Sequence, residues 1–593
     1  MMADNLGNLD TFSIPFEHED SLDLVRRVRD GPSVDELVAN YVDLIQETNT
    51  KAALERITLC SMFNAVVTNM PIRDDTIGLP PALHDYVVGL IIAHTGEGSK
   101  EHSYRELVSP ALDIPLAYLF SEIGLSPESS KEDELKHTVE FSMLQRELAT
   151  GRFMMSDQPI EVAKKAYSPH NKYLKRELGF TIEEAIQSTD HIEEIAAKCR
   201  RWLIGRDEIS LKEIPAEGHT LDSMIDEFDE KGEIQIGSGS DDFKRDAELV
   251  EQYYHQLSDY HHTLSLTESV LVNHLPDDLA EPVFINYLDR MSVEIESAED
   301  SKFDFKHPYQ FNPLHRHPIL QLGSRYFIPR PNAVRRALVE TFYYDLIELP
   351  DYGDPSGETG GEFGRVFGDY VENWTYSCLS KVFGESNVFL NPLYPDSLEE
   401  ACDVLVFAQD MVLIIECKSG KLPLSTRRGE YDKIQSAINR KIGRGYTDQA
   451  LELVKRLRDE GLDELIHDGA PLTIEDYPTY QPMVVVGEPY DSIATHLIDV
   501  IVDVSDVPPY VADIYDLQIL TEVLNEPDRL KHYIQSRLDL FEQRSIVSPD
   551  EIDYLGLYIE NEDEFPDLPD NNFSWVEDMS HVVNSKIDYK FGF

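Results

Sequence analysis

The residues best suited to chemistry lie in the segment 401–420, whose sequence is ACDVLVFAQDMVLIIECKSG. This pattern predicts two short apolar strands joined by a tight turn, with Asp403 opening the first strand and Glu416 and Lys418 closing the second. Because side chains alternate along a strand, Glu416 and Lys418 are expected on one face. Two carboxylates and an ammonium group are costly beside buried strands unless a cation or an anionic substrate offsets them. The segment therefore predicts a site for a cation or for an anionic substrate.

The D-x₁₂-E-x-K spacing of this segment, together with its apolar strands, resembles the PD-(D/E)XK nuclease superfamily. The resemblance implies that Asp403 and Glu416 bind Mg²⁺ or Mn²⁺, with the carbonyl oxygen of Cys417 as a third ligand. It also implies that Lys418 stabilises the charge that grows on the scissile phosphate, a task that suits a compact ammonium group. Gln449 matches an accessory polar position of the superfamily and is expected in the first turn of the next helix.

The superfamily usually adds an acid from its first helix, and here the match is incomplete. The segment GEFGRVFGDYVENW resembles the family pattern G-x-x-F-E-x-Y-V, but Gly368 stands at the position of the family's Glu. Glu372 lies one turn further along the same helix face and is the favoured substitute. Asp369 and Glu362 are alternatives, and the G-E-x-G string around Glu362 is similar to the nuclease-related, NERD-type branch. The departure leaves open a nuclease fold that binds nucleic acid without cutting it.

The order of elements around this segment predicts an α/β fold with a restriction-endonuclease-like αβββαβ core in residues 361–487. A large all-helical N-terminal region and a helical C-terminal extension flank this core. The boundaries expected within the core are a helix at 364–383, strands at 387–390, 402–407 and 411–417, helices at 432–442 and 447–460, and a strand at 483–486. The last helix is expected to start at Thr447, as its N-cap, and to end before Gly461.

The length of 593 residues exceeds what a single hydrophobic core supports, so several domains are expected. We predict four regions. They are a helical region at 1–300, in which a loop at about 215–242 could separate two subdomains; a connecting hairpin and helix at 301–360; the nuclease-like core at 361–487; and a helical extension with an acidic tail at 488–593.

The net charge of −59 would normally repel nucleic acid. The acidic residues are spread through every segment, which resembles the adaptation of halophilic archaea to a salt-rich cytoplasm. At about 1 M salt the Debye length is only about 3 Å, so the global repulsion would be largely screened. The net charge therefore says more about the salt concentration around the protein than about the charge of its binding partner.

One segment, 416–458, is basic, with eleven basic and five acidic residues. Lys455, Arg456 and Arg458 are explained by a helix C-terminus, where cations are favoured. The predicted nucleic-acid contacts are Arg427, Arg428, Lys433, Arg440, Lys441 and Arg444.

The leading hypothesis is a cytoplasmic, Mg²⁺-dependent DNA endonuclease, with a restriction or anti-phage defence context implied by the resemblance alone. The alternative is an inactive nuclease fold that acts as a nucleic-acid-binding or scaffold subunit. A protein partner or a homodimer is compatible with both, and the absence of a long apolar run predicts no membrane span. The five scattered cysteines predict neither a zinc site nor a disulfide framework. No G-x-x-x-x-G-K-[ST] loop is present, which argues against a nucleotide-hydrolysing enzyme.

Overall fold

The computed structural model describes a large part of the chain, in two compact units. The described residues are 31–54, 57, 81–94, 98–102, 106–108, 110–111, 113–114, 117, 158–203, 266–272, 275–295, 305, 312–353, 361–422, 431–475, 477–490, 492–495, 497–505, 507–543, 546–548, 550–566, 574–576, 579, 582–583 and 585–586. We call the unit between residues 32 and 344 the N-terminal unit. The unit that contains the described residues between 345 and 592 is the C-terminal unit.

The N-terminal unit combines helices with a small four-stranded sheet of order β1-β4-β3-β2. Its helices are α1 (Val34–Glu47), α2 (Pro81–His94), α3 (Gln158–Tyr167), α4 (Asn171–Glu177), α5 (Ile182–Leu203), α6 (Glu268–Val272), α7 (Glu281–Met291) and α8 (Pro331–Ile347). Its strands are β1 (Leu266–Thr267), β2 (Ser292–Glu294), β3 (Ile319–Leu322) and β4 (Arg325–Phe327). The expectation that residues 1–300 are all helical is therefore wrong for β1 and β2. These strands have two and three residues, too few for an alternating pattern to be visible, and they form by pairing with the β3–β4 hairpin.

Local signals at helix starts in this unit act as the sequence suggests. Ser33 caps α1 in a capping box with Glu36, whose side chain accepts the Ser33 backbone N–H at 2.9 Å. Thr181 and Glu184 repeat the device at the start of α5. In both places the side chains satisfy backbone groups that the first helical turn leaves without partners.

The C-terminal unit is built on a five-stranded sheet of order β11-β10-β7-β6-β5. The strands are β5 (Val388–Leu390), β6 (Val404–Ala408), β7 (Met411–Lys418), β10 (Thr479–Val486) and β11 (Tyr510–Asp513). β5, β6 and β7 are antiparallel neighbours, whereas β10 runs parallel to both β7 and β11. β7 is central, and its residues from Met411 to Ile415 have no exposed surface, which accounts for their continuous apolar run.

Helices cover both faces of this sheet. The helices of the unit are α9 (Gly361–Phe383), α10 (Tyr431–Ile438), α11 (Leu451–Arg458), α12 (Ser492–Thr495), α13 (Ile498–Ile501), α14 (Ile514–Val523), α15 (Pro527–Gln543) and α16 (Glu551–Glu560). Cys417 contacts Thr375 of α9, and the preceding Glu416 faces Gly445 of the 431–458 helical run. Because neighbouring residues of a strand point to opposite faces, α9 and the 431–458 run lie on opposite sides of β7.

The helix, three strands, helix and strand expected in 361–487 occur in that order, and the mixed α/β class is confirmed. Three features, which together comprise five strands, were not expected. A hairpin, β8 (Glu464–His467) with β9 (Ala470–Thr473), precedes β10; β11 adds a parallel strand within the extension that was expected to be helical; and β12 (Ile546–Val547) pairs with β13 (Ser574–Trp575). β11 has only four residues, and its parallel pairing with β10 depends on a distant segment that no local pattern specifies.

The predicted break at Thr447 is absent. Residues 431–458 form one helical run in which α10 passes through two π-helical segments, Asn439–Gly443 and Gly445–Ala450, into α11. The Thr447 hydroxyl donates to the Gly443 carbonyl oxygen at 2.9 Å, so it bonds backward within the helix instead of capping a new one. Gly461 follows the end of α11 with φ +73°, as the sequence predicts for a helix C-terminus.

Candidate active site at the strand ends

Asp403 and Glu416 lie on adjacent strands at the same level. Val404 is paired with Ile415, and continuing this antiparallel register by one residue puts Asp403 opposite Glu416. Asp403 directly precedes β6 and accepts the backbone N–H of Cys417 through Oδ2. Glu416 is fully buried, and Asp403 is nearly so. Neighbouring strands are about 5 Å apart, so these two carboxyl groups share one small region of the sheet end.

Lys418 connects Glu416 to the helical run on that face. Its Nζ donates to Glu416 Oε2 at 3.1 Å and to Gln449 Oε1 at 2.7 Å. A Cβ on Gly445 would meet Lys418 Cε at 2.7 Å, so a glycine is needed for this approach. Gln449, expected in the first turn of a helix, lies instead in the middle of the helical run, where it accepts a hydrogen bond from Lys418.

The other oxygen of Glu416 has no partner in the part of the chain that the structure describes. Oε1 is buried without a hydrogen bond among the described residues. Burial, and then the nearby charge of Asp403, raise the pKa of Glu416 to about 8, although Lys418 opposes the shift. Burial lowers the pKa of Lys418, but the charges of Glu416 and Asp403 outweigh it and raise that pKa overall. The cluster has more negative charge than its one lysine neutralises.

Glu372 is the first-helix acid that faces this cluster. Its Oε2 accepts the Asn391 side-chain N–H at 3.3 Å, and burial followed by the charge of Asp403 raises its pKa. Asp369 is exposed and pairs with Arg365 at 2.9 Å, and Glu362 is exposed in the first turn of α9. A Cβ on Gly368 would meet only Ser419 Oγ, at an ordinary 3.7 Å. The charge of Asp403 acts on Glu372, which places Glu372 near the cluster.

Sequence reasoning missed Glu400 and Asn391. Burial, followed by a hydrogen bond with Asp403, raises the pKa of Glu400. Asn391 has φ +50° and its Oδ1 is buried without a partner in the described part of the chain. Both residues lie in the connection between β5 and β6, which no motif marks. The only available signal was the closeness of Glu400 to Asp403 in sequence.

The predicted donor set suits a divalent metal ion with few protein ligands. Among the described residues, no three His, Cys, Asp or Glu side chains are grouped closely enough to hold a metal ion. The predicted set consists of two carboxylates, Asp403 and Glu416, with the backbone carbonyl of Cys417. Mg²⁺ often binds through one or two carboxylates, keeping several waters, so a two-carboxylate set suits it. The unpartnered Oε1 of Glu416 and the crowded acids fit such an ion.

The thiol of Cys417 points away from this cluster. Its Sγ donates to Thr375 Oγ1 at 3.5 Å, and burial, then the charge of Asp403, hold the thiol pKa well above its usual value. The predicted metal ligand at this position is therefore the backbone carbonyl oxygen of Cys417 and not its thiol.

The predicted nucleic-acid contacts separate into different groups. Lys441 donates to the Gly420 carbonyl oxygen and lies 3.9 Å from Glu488, so it braces the loop after β7. Lys433, Arg440 and Arg444 are exposed on the helical run. Arg427 and Arg428 lie outside the described residues. Lys455, Arg456 and Arg458 occupy the last turn of α11, as the helix-dipole explanation predicts.

Comparison with known proteins adds no relative: no protein-family model, curated protein or solved structure matches this chain. Within the described ranges, none of the helices has the length and apolar character needed to cross a membrane.

Proposed function

We propose that the C-terminal unit is a metal-dependent hydrolase of phosphodiester bonds in DNA. One observation carries the proposal: Lys418, two residues after the buried Glu416, bonds one Glu416 oxygen, while the other, beside Asp403, has no partner among the described residues. A carboxylate used for stability alone would have both oxygens satisfied. An unpartnered oxygen in an acid-rich cluster instead suits a cation.

Each residue would have a separate task. Asp403 and Glu416 would hold Mg²⁺ or Mn²⁺, which would lower the pKa of a water and polarise the phosphate. Lys418 would stabilise the negative charge that develops on the phosphate oxygens. Gln449 would orient the Lys418 ammonium group through the 2.7 Å hydrogen bond. Glu372 lies near Asp403 and is the first-helix acid best placed to assist.

The first experiment measures DNA cleavage with Mg²⁺ or Mn²⁺ at high salt. Lys418→Ala should lower the cleavage rate by about 10²–10³, the range for removing one donor to a developing oxyanion. Asp403→Asn should abolish cleavage. Lys455→Ala, which removes an exposed lysine at the end of α11, is the matched control and should cleave normally. Unchanged cleavage in Lys418→Ala would falsify the proposal.

A second experiment tests the metal site without catalysis. Mn²⁺ should raise the melting temperature of the wild-type protein, because a ligand bound only by the folded state stabilises it. The rise should be lost in Asp403→Asn and kept in Lys418→Ala. An equal rise in all three proteins would place the bound ion elsewhere.

Gly368 supports a second candidate function, a subunit that binds DNA without cutting it. The position lacks the family's acid, although an added side chain would meet only Ser419 Oγ. This alternative predicts DNA binding that persists in EDTA and no products with any metal. Gly368→Glu provides the discriminating test. If Gly368→Glu cleaves DNA and the wild type does not, the result supports a subunit that binds DNA without cutting it. Cleavage by the wild type excludes this alternative.

A further inference from the structure

A groove of about 450 Å³ lies between the helical run 431–458 and residues 502–503. Arg440 and Arg444 line it, one turn apart, together with Asn439, Thr447 and Asp503. Both arginines are exposed. The groove therefore combines two guanidinium groups with amide and hydroxyl groups that also form hydrogen bonds.

Within the described ranges, these two arginines differ from other exposed arginines of the unit because they have no acidic partner. Among the described residues, neither forms an ion pair within 4.0 Å or a side-chain hydrogen bond. Other exposed arginines of this unit do: Arg365 pairs with Asp369 at 2.9 Å and Arg458 with Asp459 at 3.0 Å. The chain has 111 acidic and 52 basic residues, so an acid is readily available to most arginines. Two unpaired guanidinium groups on one face indicate an external anion.

The π-helical segments shape this groove and connect it to the candidate active site. A Cβ on Gly443 would lie 3.0 Å from Asn439 Oδ1, so the glycine lets the Asn439 side chain lie along the groove floor. Gly445 and Gln449 form the face next to Lys418. Successive helix residues are turned by about 100°, so Arg444 and Gly445 belong to adjoining faces of the same helix. π-bulges occur frequently at functional sites.

We propose that Arg440 and Arg444 bind a non-scissile phosphate of the nucleic-acid backbone in this groove. The inference rests on the proposed function for the identity of the ligand. Guanidinium groups match phosphate oxygens through paired hydrogen bonds, and phosphate contacts fix the register of a protein on nucleic acid. Lys441, on the face toward Gly420, takes no part.

Substitution of Asp503 tests the same groove, with an expected effect on DNA binding opposite to that of the arginine variants. Its carboxylate is exposed at the groove, and no ion pair joins it to Arg440 or Arg444 among the described residues. It therefore opposes an anionic ligand without holding the arginines in place. Asp503→Asn should tighten DNA binding, and unchanged or weaker binding would count against the groove.

The main experiment measures binding of a labelled DNA duplex by the full-length protein in EDTA, over a series of KCl concentrations. Arg440→Gln/Arg444→Gln should weaken binding at least roughly tenfold at the lowest salt, since bonds to charged groups are the strong ones. The slope of log K against log salt should become shallower by about 0.9, because one neutralised phosphate contributes about 0.9. Arg440→Lys/Arg444→Lys should retain most of the slope, because lysine keeps the charge.

Arg365→Gln/Arg458→Gln is the matched control, since it removes two positive charges of the same unit from existing ion pairs. It should leave the slope unchanged. An equal effect of both double variants would mean that only net charge matters. It would contradict the proposal that Arg440 and Arg444 bind a phosphate in the groove. Displacement of DNA by inorganic phosphate at the affinity of the duplex itself would overturn the backbone assignment in favour of a free-phosphate site.

The outcomes for the groove and the hydrolase are separable. If the wild type binds DNA through the arginines but never cleaves it, the hydrolase proposal fails and the groove stands. If the wild type cleaves DNA and Arg440→Gln/Arg444→Gln binds it with an unchanged slope, the groove fails and the hydrolase stands.

Discussion

Two buried glutamates of the C-terminal unit differ in how completely their carboxylate oxygens are hydrogen-bonded. Glu551 of α16 is fully satisfied: its Oε1 accepts the hydroxyls of Tyr510 and Tyr533 at 2.8 and 2.7 Å, and Arg537 bonds both of its oxygens. Arg537 also stacks over a tyrosine ring at 3.6 Å. Glu416 has one lysine on one oxygen and nothing on the other among the described residues.

The difference indicates what each cluster is for. A buried ion pair with complete hydrogen bonding holds its surroundings in one arrangement, and breaking it is costly. A buried carboxylate with a free oxygen beside another acid is unfavourable to folding, so it is retained for some other purpose. The Arg537–Glu551 cluster thus stabilises the fold, whereas the Asp403–Glu416 cluster is suited to binding.

The largest expected effect concerns Arg537. Arg537→Met should lower the free energy of unfolding by about 3–5 kcal/mol, since it leaves Glu551 as a buried charge without its cation. Denaturant unfolding at fixed salt measures the loss. Arg458→Met, which breaks an exposed pair, is the control and should cost less than about 1 kcal/mol. Similar losses in both variants would remove the contrast between the clusters.

Asp85 of the N-terminal unit is a second carboxylate with cationic partners, and its effect on stability should depend on pH. Burial raises the pKa of Asp85, but Arg330 and then His84 outweigh it and bring the pKa down to about 2. A lowered pKa gives stability that is complete above the unfolded value of 3.8 and disappears as the pH falls through 2.

Asp85→Asn should therefore cost about 2 kcal/mol of unfolding free energy at neutral pH. The cost should shrink as the pH approaches 2. Denaturant unfolding of both proteins over this pH range measures it. A difference that stays constant into acid would show that Asp85 acts through shape and not through charge.

Gly445→Ala separates chemistry from stability in the binding cluster. The new methyl group would displace the Lys418 side chain, so we expect about tenfold slower cleavage, while helix propensity raises stability by up to about 1 kcal/mol. Cleavage assays and denaturant unfolding give the two readouts. Gly368→Ala adds the same methyl group where an ordinary 3.7 Å contact receives it, and should cleave normally. A fall in stability without a fall in cleavage would contradict the assignment.

The smallest effect concerns Glu416 itself. At a pH above 8, where Glu416 is ionised, Glu416→Gln should raise the stability of the metal-free protein by about 1 kcal/mol, because it removes a charge from a crowded acidic cluster. Glu551→Gln should lower stability, because Arg537 would lose its partner. Thermal unfolding in EDTA compares the two variants. Losses of equal size would mean that both glutamates serve the fold.

Much of the central sheet could be predicted because its strands are long apolar runs. β7 and β10 are buried on both faces, and burial of this kind leaves a continuous hydrophobic signal. The short strands β1, β2 and β11 could not be predicted in the same way. They have two to four residues, and distant partners provide all of their pairing.

The helical run 431–458 shows the limit of local signals. Thr447 carries a good N-cap side chain and two glycines precede it, which favours a helix start by local criteria. Ile442, Tyr446 and Ala450 pack into the core, which favours one uninterrupted helix. Two segments of that helix are π-helical. The same segments bring Gln449 to Lys418.

By itself, the sequence determined the strand-end trio of Asp403, Glu416 and Lys418, because alternation along a strand and the short β6–β7 turn are local properties. The resemblance favoured Glu372 among three acids, but only the tertiary structure decided that Glu372 lies near the trio and that Glu400 joins it. It also decided that Lys441 braces a loop and that Arg440 and Arg444 line a groove. Those outcomes depend on how α9 and the 431–458 run pack on the sheet, and packing brings together residues that no short-range pattern connects.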